Sequence, residues 1–206
     1  MPTLKLTYFN AAGRAEPIRI ALRIGGLAFE DHRLDYAGFG AAKASGALPL
    51  GSVPMLEIDG VAFVQTAAML RWAARAGDAS LYPADPLLAL QVDSALDSFN
   101  DTLSAALVPS MFERDPERKL AMRADIVAGP MKRVFTYIEA LLARSGGPFV
   151  AGAALSIADL VIALQVEAIQ KGTLDGITTE HLAAYPGVVA LTAATLADPR
   201  VVAARA

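Results

Sequence analysis

The side chains able to do chemistry in this chain are phenolic, cationic and carboxylate groups, with no thiol among them. The 206 residues include no cysteine, which excludes a disulfide framework, a thiolate metal site and a thiol nucleophile on the protein itself. Two histidines, His32 and His181, are too few for a three-histidine metal site, and we predict no metal. Thiol chemistry at this protein would need a substrate that brings the sulfur.

Tyr8 and Arg14 lie at two element boundaries near the N-terminus. Tyr8 ends the segment TLKLTY, in which Leu4 and Leu6 alternate with polar residues as in a strand. A tyrosine at such a position, taken alone, is usually an amphipathic core residue. Arg14 opens a helical segment, where the helix dipole favours anions over cations. Arg14 is therefore either a solvated arginine or the partner of a local anion.

Two further positions could hold a ligand through the backbone. Val53-Pro54 precedes a predicted strand, and a cis peptide bond there would leave neighbouring backbone groups free to pair with an extended thiol peptide. The alternative is an ordinary loop proline. Gln65 and Thr66 stand where a hairpin passes into a helix, whose first N–H groups attract carboxylates. Thr66 is equally a plausible N-cap, and both interpretations can hold together.

Carboxylates recur in the second half of the chain. Asp93, Asp97 and Asp101 are spaced by four residues and predict one acidic stripe on a helix face, which alone would be a solvated surface. Ser156 and Asp159 have capping-box spacing before an apolar run. We assign this second pair a folding role.

The elements that must position these residues begin with a βαβ unit. Strand patterns cover 3–8 and 28–34, and a helix pattern with Pro17 in its first turn lies between them and ends at Gly25. A strand, a helix and a strand in so short a stretch imply parallel strands with a right-handed crossover. The glycine- and proline-rich stretch that follows, 35–54, predicts a loop.

A hairpin and a helix complete the first predicted domain. The segments MLEI and VAFV flank Asp59-Gly60, a residue pair typical of a tight hairpin turn. The next helix is predicted to begin at Thr66, as its N-cap, and to end at Gly77. The order βαβ–loop–ββα is that of a thioredoxin-like module.

Only helical periods follow. They cover about 87–112, 116–144, 156–171 and 188–197. We therefore predict an α/β thioredoxin-like N-terminal domain and an all-α C-terminal domain, with the domains at 1–78 and 87–206 and a linker at 79–86.

Composition narrows the classes of partner and location. Hydrophobic residues make up 54% of the chain, enough for a sizeable core. A net charge of −3 gives no electrostatic basis for binding nucleic acid or an anionic membrane. Neither a signal peptide nor a membrane span is evident, which predicts a cytoplasmic protein.

Several segments, taken in order, carry a family resemblance. The segments KLTYFNAAGRAEPIR, FEDHRL, LPLGSVPMLEIDG and VQTAAMLRWAAR, with thinner similarity in VDSALDSFND and GAALSIADLVIA, resemble the sigma class of glutathione transferases, which includes the glutathione-dependent prostaglandin D synthases. The combination of these features in one order makes the likeness specific. It implies the glutathione transferase fold, with glutathione as co-substrate and no cofactor.

The resemblance also implies a role for each candidate residue. Tyr8 would donate a hydrogen bond to the glutathione sulfur and Arg14 would support the thiolate charge, so these are the expected catalytic residues. Asp101 would reach the glutamyl amine in the partner's site of a two-fold homodimer. The other predicted glutathione contacts are Phe39, Lys43, Gly51, Ser52, Val53, Pro54, Gln65 and Thr66.

Phe39 and Asn100 depart from the family pattern, as does Thr66, where the family usually has a serine. Phe39 stands where the family has a tryptophan whose indole N–H reaches the glycyl carboxylate, so Lys43 would hold that carboxylate alone or with the backbone of Gly51–Val53. Asn100 stands where the prostaglandin synthases have one of two paired aspartates that gather a divalent cation.

These observations predict a glutathione transferase that conjugates the thiolate to small hydrophobic electrophiles, in a detoxifying role. The helical wall of the electrophile site is predicted to include Leu96, Asn100, Leu103 and Ala106. Two alternatives stay open. One is a glutathione-dependent isomerase of the prostaglandin endoperoxide type. The other is a non-catalytic protein of the same fold that binds glutathione or another ligand, an alternative that Phe39 favours.

Overall fold

The computed structural model describes residues 2–77 and 81–206. They form two compact units, one made of residues 2–77 with Ala203–Ala206 and the other of Leu81–Val202. The predicted linker, 79–86, begins outside the described residues.

The first unit is a four-stranded sheet with helices, as the sequence predicts. Its elements are β1 (Leu4–Phe9), a 3₁₀ turn (Gly13–Ala15), α1 (Glu16–Ile24), β2 (Glu30–Leu34), α2 (Tyr36–Ala44), β3 (Met55–Ile58), β4 (Val61–Val64) and α3 (Thr66–Ala76). The strand order is β2-β1-β3-β4, with β1 and β2 parallel and the other pairs antiparallel. The parallel pair confirms the βαβ crossover. Asp59 and Gly60, with φ of 50° and 82°, confirm the tight hairpin turn.

The stretch predicted as a loop contains helix α2, so that prediction is wrong. The Asp35 side chain caps the helix by accepting a hydrogen bond from the Gly38 N–H at 2.6 Å. Alanines fill much of the helix, and their helix propensity outweighs the two glycines within it. Helix α2 buries none of its residues. Capping and propensity, rather than core packing, account for it.

Helices α1 and α3 are in close contact where they end. Both end at glycines, Gly25 and Gly77, as predicted. A Cβ added to Gly77 would lie 2.4 Å from the Gly25 Cα, far inside contact distance. The two helices bury much of the first unit's core, including Ile18, Ile20, Leu22, Met69 and Leu70.

From residue 81 onward the regular elements of the described chain are helical, as predicted. Its elements are α4 (Pro86–Ser98), a π turn (Phe99–Ser104), α5 (Ala105–Phe112), α6 (Pro116–Ile126), a second π turn (Val127–Met131), α7 (Lys132–Ser145), α8 (Ile157–Gln170), a 3₁₀ turn (Thr179–Leu182), α9 (Pro186–Ala197) and α10 (Pro199–Arg205). Helix α8 is central, with every residue from Ile157 to Ala163 buried. The sequence analysis missed α10, which follows α9 after a single residue, Asp198.

The two π turns have local causes. Pro130 lies in the second turn and has no N–H to donate to the helix. In the first turn the Asn100 side chain donates to the Leu96 carbonyl at 3.0 Å, which satisfies a carbonyl of the widened helix. In the described part of the chain, no helix alone has the length and apolarity to cross a membrane, and only the bent pair α9–α10 reaches them together.

Candidate active site

Tyr8 lies near the end of β1 with its hydroxyl in contact with the chain that enters α1. The Arg14 N–H donates a hydrogen bond to the Tyr8 hydroxyl oxygen at 3.2 Å. A phenol has one hydrogen to donate and can accept as well. Since this contact uses an acceptor position, the phenolic hydrogen is left to be donated to another group. The side chain is half-buried, so its hydroxyl is within reach of a ligand.

Gly13 allows this approach of the backbone to the tyrosine. Its φ is +44°, a region that residues with a Cβ rarely adopt. A Cβ at this position would lie 2.6 Å from the Tyr8 hydroxyl oxygen. The turn that presents the Arg14 N–H therefore requires glycine here.

One pocket brings together six of the eleven residues predicted to contact glutathione, and Tyr8 is not among its lining residues. Its lining combines a cation, exposed backbone and the start of α3, and consists of Arg14, Leu50, Ser52, Val53, Pro54, Val64, Gln65 and Thr66. The Arg14 guanidinium is exposed and has no hydrogen-bond or ion-pair partner among residues 2–77 and 81–206. The pocket is thus lined by a cation that no anion of the described residues neutralises.

The loop before β3 offers unpaired backbone. The Val53-Pro54 peptide bond is cis. Within the described residues, no protein group makes a hydrogen bond to the Val53 N–H or carbonyl. These two groups can pair with an extended peptide in the way one strand pairs with another.

Helix α3 begins without a side-chain cap. The residue at the N-cap position is Gln65 rather than Thr66, so the N-cap prediction for Thr66 is wrong. The first backbone bond of the helix is Met69 N–H to Gln65 carbonyl, at 3.1 Å. The earlier N–H groups have no partner in the described chain and form an anion-binding helix start.

Gln65 has a strained backbone that the sequence does not reveal. Its φ of +76° is costly for a residue with a long side chain, on the order of 1–3 kcal/mol. Strain of this kind persists where the surrounding structure imposes it, and it clusters at binding sites. Here it turns the chain from β4 into α3.

Phe39 and Lys43 both lie in α2 and differ in their contacts. The Phe39 ring packs against Phe9, with ring centres 5.1 Å apart, and is not part of the pocket lining. The Lys43 stem passes close to Gly51, where its Cε lies 3.3 Å from the position a Cβ would take. The Lys43 amine is exposed and has no partner within the described residues.

Two members of the predicted acidic stripe, Asp93 and Asp101, lie in different environments. Asp93 accepts a hydrogen bond from the Tyr82 hydroxyl at 2.6 Å and is therefore engaged within the helical unit. Asp101 lies in the first π turn and is exposed. No group of three or more metal-ligating side chains occurs in the described part of the chain.

Two of the four residues predicted to form a helical substrate wall are buried. Leu96 is 0% exposed and Leu103 is 1% exposed, so neither has surface to offer a substrate, and the prediction is wrong for both. Asn100 and Ala106 are half-buried.

Sequence analysis missed a buried cation beneath the tyrosine. Arg19 in α1 is 1% exposed, and its guanidinium carbon lies 5.9 Å from the centre of the Tyr8 ring. It pairs with Asp31 of β2. Burial alone would raise the pKa of Asp31, but hydrogen bonds from Arg19 and Arg33 outweigh burial and hold it below the usual value. Glu16, three residues before Arg19, was the available sequence signal for an ion pair.

The capping box at the start of α8 is confirmed. The Asp159 carboxylate accepts hydrogen bonds from the Ser156 N–H at 2.8 Å, the Ser156 hydroxyl at 2.6 Å and the Val150 N–H at 2.9 Å. Burial raises the pKa of Asp159 to about 6, although these hydrogen bonds act in the opposite direction.

Comparison with known proteins agrees with this fold. The family described as "Glutathione S-transferase, N-terminal domain" matches residues 4–75, and "Glutathione S-transferase, C-terminal domain" matches residues 100–204. Glutathione S-transferase 1 of Ascaris suum is 34% identical over 167 residues, covering 79% of this chain and 78% of that protein. The hematopoietic prostaglandin D synthase of Gallus gallus is 42% identical over 100 residues, covering 48% of this chain and 49% of that protein.

A solved structure extends the similarity over nearly the whole chain. The crystal structure of a major nematode-specific GST of C. elegans has a TM-score of 0.85 to this chain at 27% identity, and covers 98% of this chain and 95% of that one.

Proposed function

Because the chain belongs to the glutathione S-transferase family, with glutathione as co-substrate, we propose that it conjugates the glutathione thiolate to small hydrophobic electrophiles and that Tyr8 stabilises the thiolate. The observation that carries the proposal is the hydrogen bond from the Arg14 N–H to the Tyr8 hydroxyl oxygen. It orients the phenol while leaving the phenolic hydrogen to be donated to the sulfur. A detoxifying role in the cytoplasm is part of the same proposal.

Thiol ionisation is a modest part of the expected rate enhancement. A free thiol of pKa about 8.5 is roughly 3% ionised at pH 7, and a pKa lower by about two units gives roughly 75% thiolate. Nucleophilicity falls with pKa at a Brønsted slope of about 0.4–0.5, which returns roughly 6–10-fold of that roughly 25-fold gain. A gain of about threefold remains. Most of the acceleration must come from holding the two substrates together.

The rest of the pocket suits the remainder of the tripeptide. The uncapped start of α3, at Gln65 and Thr66, is a seat for the γ-glutamyl carboxylate. The free Val53 N–H and carbonyl would pair with the backbone of the cysteinyl residue. The Arg14 guanidinium would support the thiolate.

Lys43 is the proposed partner of the glycyl carboxylate. Its stem lies against Gly51, and its amine is exposed and unpaired within the described residues. Phe39 has no N–H to add to this contact and packs against Phe9. The loss of one charge-assisted bond, relative to an indole at this position, would weaken glutathione binding by roughly 1.5–3 kcal/mol.

A homodimer completes the proposed site. Asp101 is exposed and pairs with no group in the described chain, which suits a role toward the glutamyl amine bound by a second copy. Gel filtration should give a dimer, and Asp101→Asn should weaken glutathione binding without changing the elution volume. If the wild-type protein is a stable monomer that still binds glutathione, Asp101 makes no contribution to the site of a second copy and the assignment is contradicted.

The test of the main proposal is a conjugation assay with a chlorodinitrobenzene-type electrophile. Tyr8→Phe should lower kcat/KM by about tenfold near pH 7, of which about threefold is thiol ionisation and the rest lost orientation of the sulfur. The loss should shrink above about pH 9, where the free thiol ionises unaided. Glutathione affinity, measured by calorimetry, should change little. Equal rates for the two proteins would remove Tyr8 from the mechanism.

A second candidate function is isomerisation of a prostaglandin endoperoxide. The 42% identity to a hematopoietic prostaglandin D synthase over 100 residues favours it. An isomerase assay on the same protein separates the two functions. A wild-type protein that binds glutathione but turns over neither substrate would instead be the non-catalytic ligand-binding member that Phe39 allows.

A further inference from the structure

Arg19 is buried and contacts both the Tyr8 ring and the backbone segment that leads to Arg14. We infer that Arg19 is a positioning residue, which clamps the turn before Arg14 and thereby sets the hydrogen bond between the Arg14 N–H and the Tyr8 hydroxyl. This inference rests on the proposed role of Tyr8.

The clamp consists of hydrogen bonds to two consecutive carbonyls. Arg19 Nη1 donates to the Ala11 carbonyl at 2.9 Å and to the Ala12 carbonyl at 3.4 Å. These carbonyls belong to the segment directly before Gly13, whose close approach to the Tyr8 hydroxyl leaves no room for a Cβ. Movement of this segment therefore changes the distance from the Arg14 N–H to the phenol.

The guanidinium is itself held from two sides. Arg19 Nε donates to Asp31 Oδ1 at 3.0 Å, and Nη1 also reaches Glu16 Oε2 at 3.1 Å. The planar fork of an arginine can bind carboxylates and carbonyls at the same time, whereas a lysine ammonium is a single point of charge. The shape of the side chain, and not only its charge, is needed for this arrangement.

The same guanidinium contacts the tyrosine. Its central carbon is 5.9 Å from the Tyr8 ring centre, within the range of a cation–π interaction. Arg19 Nη2 is buried and has no hydrogen-bond partner within the described residues. Arg19 thus lies near the ring of Tyr8 and holds the segment that leads into the turn carrying Arg14.

The chain offers a matched control in Arg33. Arg33 also binds Asp31, at 2.8 Å from the opposite oxygen, but its side chain is 42% exposed. Among the described residues, the only other side-chain partner of Arg33 is Asn10, and Arg33 makes no bond to the Ala11 or Ala12 carbonyl. A variant of Arg33 therefore perturbs the same carboxylate without releasing the clamp.

The experiment compares Arg19→Lys, Arg19→Met, Arg33→Met and Tyr8→Phe with the wild type. For each protein, the conjugation rate is measured as kcat/KM against pH, the bound thiolate by its ultraviolet absorbance, glutathione affinity by calorimetry and folding by thermal unfolding. Arg19→Lys should lose about three- to fivefold in kcat/KM near pH 7, with the pH midpoint of bound-thiol ionisation moved upward. Glutathione affinity should stay within about threefold. Arg33→Met should keep the wild-type midpoint.

A double variant tests whether Arg19 acts through the hydroxyl. If it does, Arg19→Lys should cost less than about twofold in the Tyr8→Phe background, because the oriented group is already absent. Equal losses in the two backgrounds would overturn the inference. A folded Arg19→Lys protein with the wild-type pH midpoint and rate would also overturn the inference. If Arg19→Met does not fold, Arg19→Lys is the variant that decides the question. If Tyr8→Phe has the rate and pH midpoint of the wild type, the proposed function fails. If Tyr8→Phe has its expected effect but the Arg19 variants have the same rate and pH midpoint as Arg33→Met, only the inference about Arg19 fails.

Discussion

The starts of helices α3 and α8 satisfy their first N–H groups in opposite ways. At α8, Ser156 and Asp159 supply a complete capping box, and the carboxylate is fully buried. At α3, the cap position holds Gln65 with a φ of +76° and no side-chain cap. A missing cap costs about 1 kcal/mol of helix stability. The start of α8 serves folding, and we assign the start of α3 to ligand binding. Mutation of polar residues should therefore lower stability at α8 and glutathione affinity at α3.

The largest effect should follow from Asp159→Ala. The substitution removes the acceptor of three hydrogen bonds, including those from the buried N–H groups of Val150 and Ser156. Unfolding in urea should show a loss of about 2–4 kcal/mol. Glutathione affinity per folded molecule should be unchanged. A loss of affinity without a loss of stability would break the contrast between the two helices.

The pH dependence of stability should also trace to Asp159. Its folded-state pKa is raised to about 6, so the stability that this group contributes is present below about pH 4 and lost as the pH rises through about 6. Asp159→Asn should therefore be more destabilising near pH 4.5 than near pH 7.5, with the two penalties differing by about 2 kcal/mol. Urea unfolding of both proteins at the two pH values measures this. A pH-independent penalty would show that the carboxyl titrates normally.

At the other helix start, Thr66→Val should weaken glutathione binding without unfolding the protein. The Thr66 hydroxyl caps nothing in the described chain, so stability should change by less than about 1 kcal/mol. The loss of a hydrogen bond to a carboxylate should raise the Kd by about tenfold. Thr66→Ser, which keeps the hydroxyl, is the matched control. Calorimetry on both variants tests the assignment, and equal affinities would move the γ-glutamyl carboxylate elsewhere.

The smallest effect is expected at Lys43. Its amine is exposed, so its attraction for a carboxylate is screened by water and salt. Lys43→Gln should raise the glutathione Kd by about two- to fivefold at low ionic strength, and the difference from wild type should shrink in higher salt. A salt-independent difference would mean that the aliphatic part of the Lys43 side chain, which lies against Gly51, contributes to glutathione binding more than its charge does.

Where neighbours along the chain decide the structure, the sequence was sufficient. The alternation that ends at Tyr8, the Asp59-Gly60 turn and the Ser156–Asp159 spacing each depend on residues a few positions apart, and all three are present in the structure. Helix α2 was not predicted, because the glycines and prolines of its segment indicate a loop, although Asp35 is a typical N-cap residue. The cap at Asp35 and the alanines that follow it were the local signal for this helix.

Where distant contacts decide, the sequence was silent. The strained φ of Gln65 follows from the joint between β4 and α3, and no residue type signals it. Burial of Arg19 depends on Asp31, which lies on another element, and on the carbonyls of Ala11 and Ala12. The residues proposed to contact the tripeptide were predicted from the family resemblance of the segments that contain them, whereas Arg19, proposed to position Tyr8 and Arg14, was not predicted.

The contact between Gly25 and Gly77 has a consequence for how this protein can vary. The hydrogen atoms of two glycines are all that separates the ends of α1 and α3, and even alanine at Gly77 would drive a methyl group into the opposite main chain. One helix follows the turn beside the phenol and the other begins at the proposed carboxylate seat. The ends of the two helices therefore cannot accept one added methyl group at Gly77 without moving apart. A protein that replaced Gly77 would have to change the spacing of these two helices, and with it the scaffold on which we propose that glutathione binds.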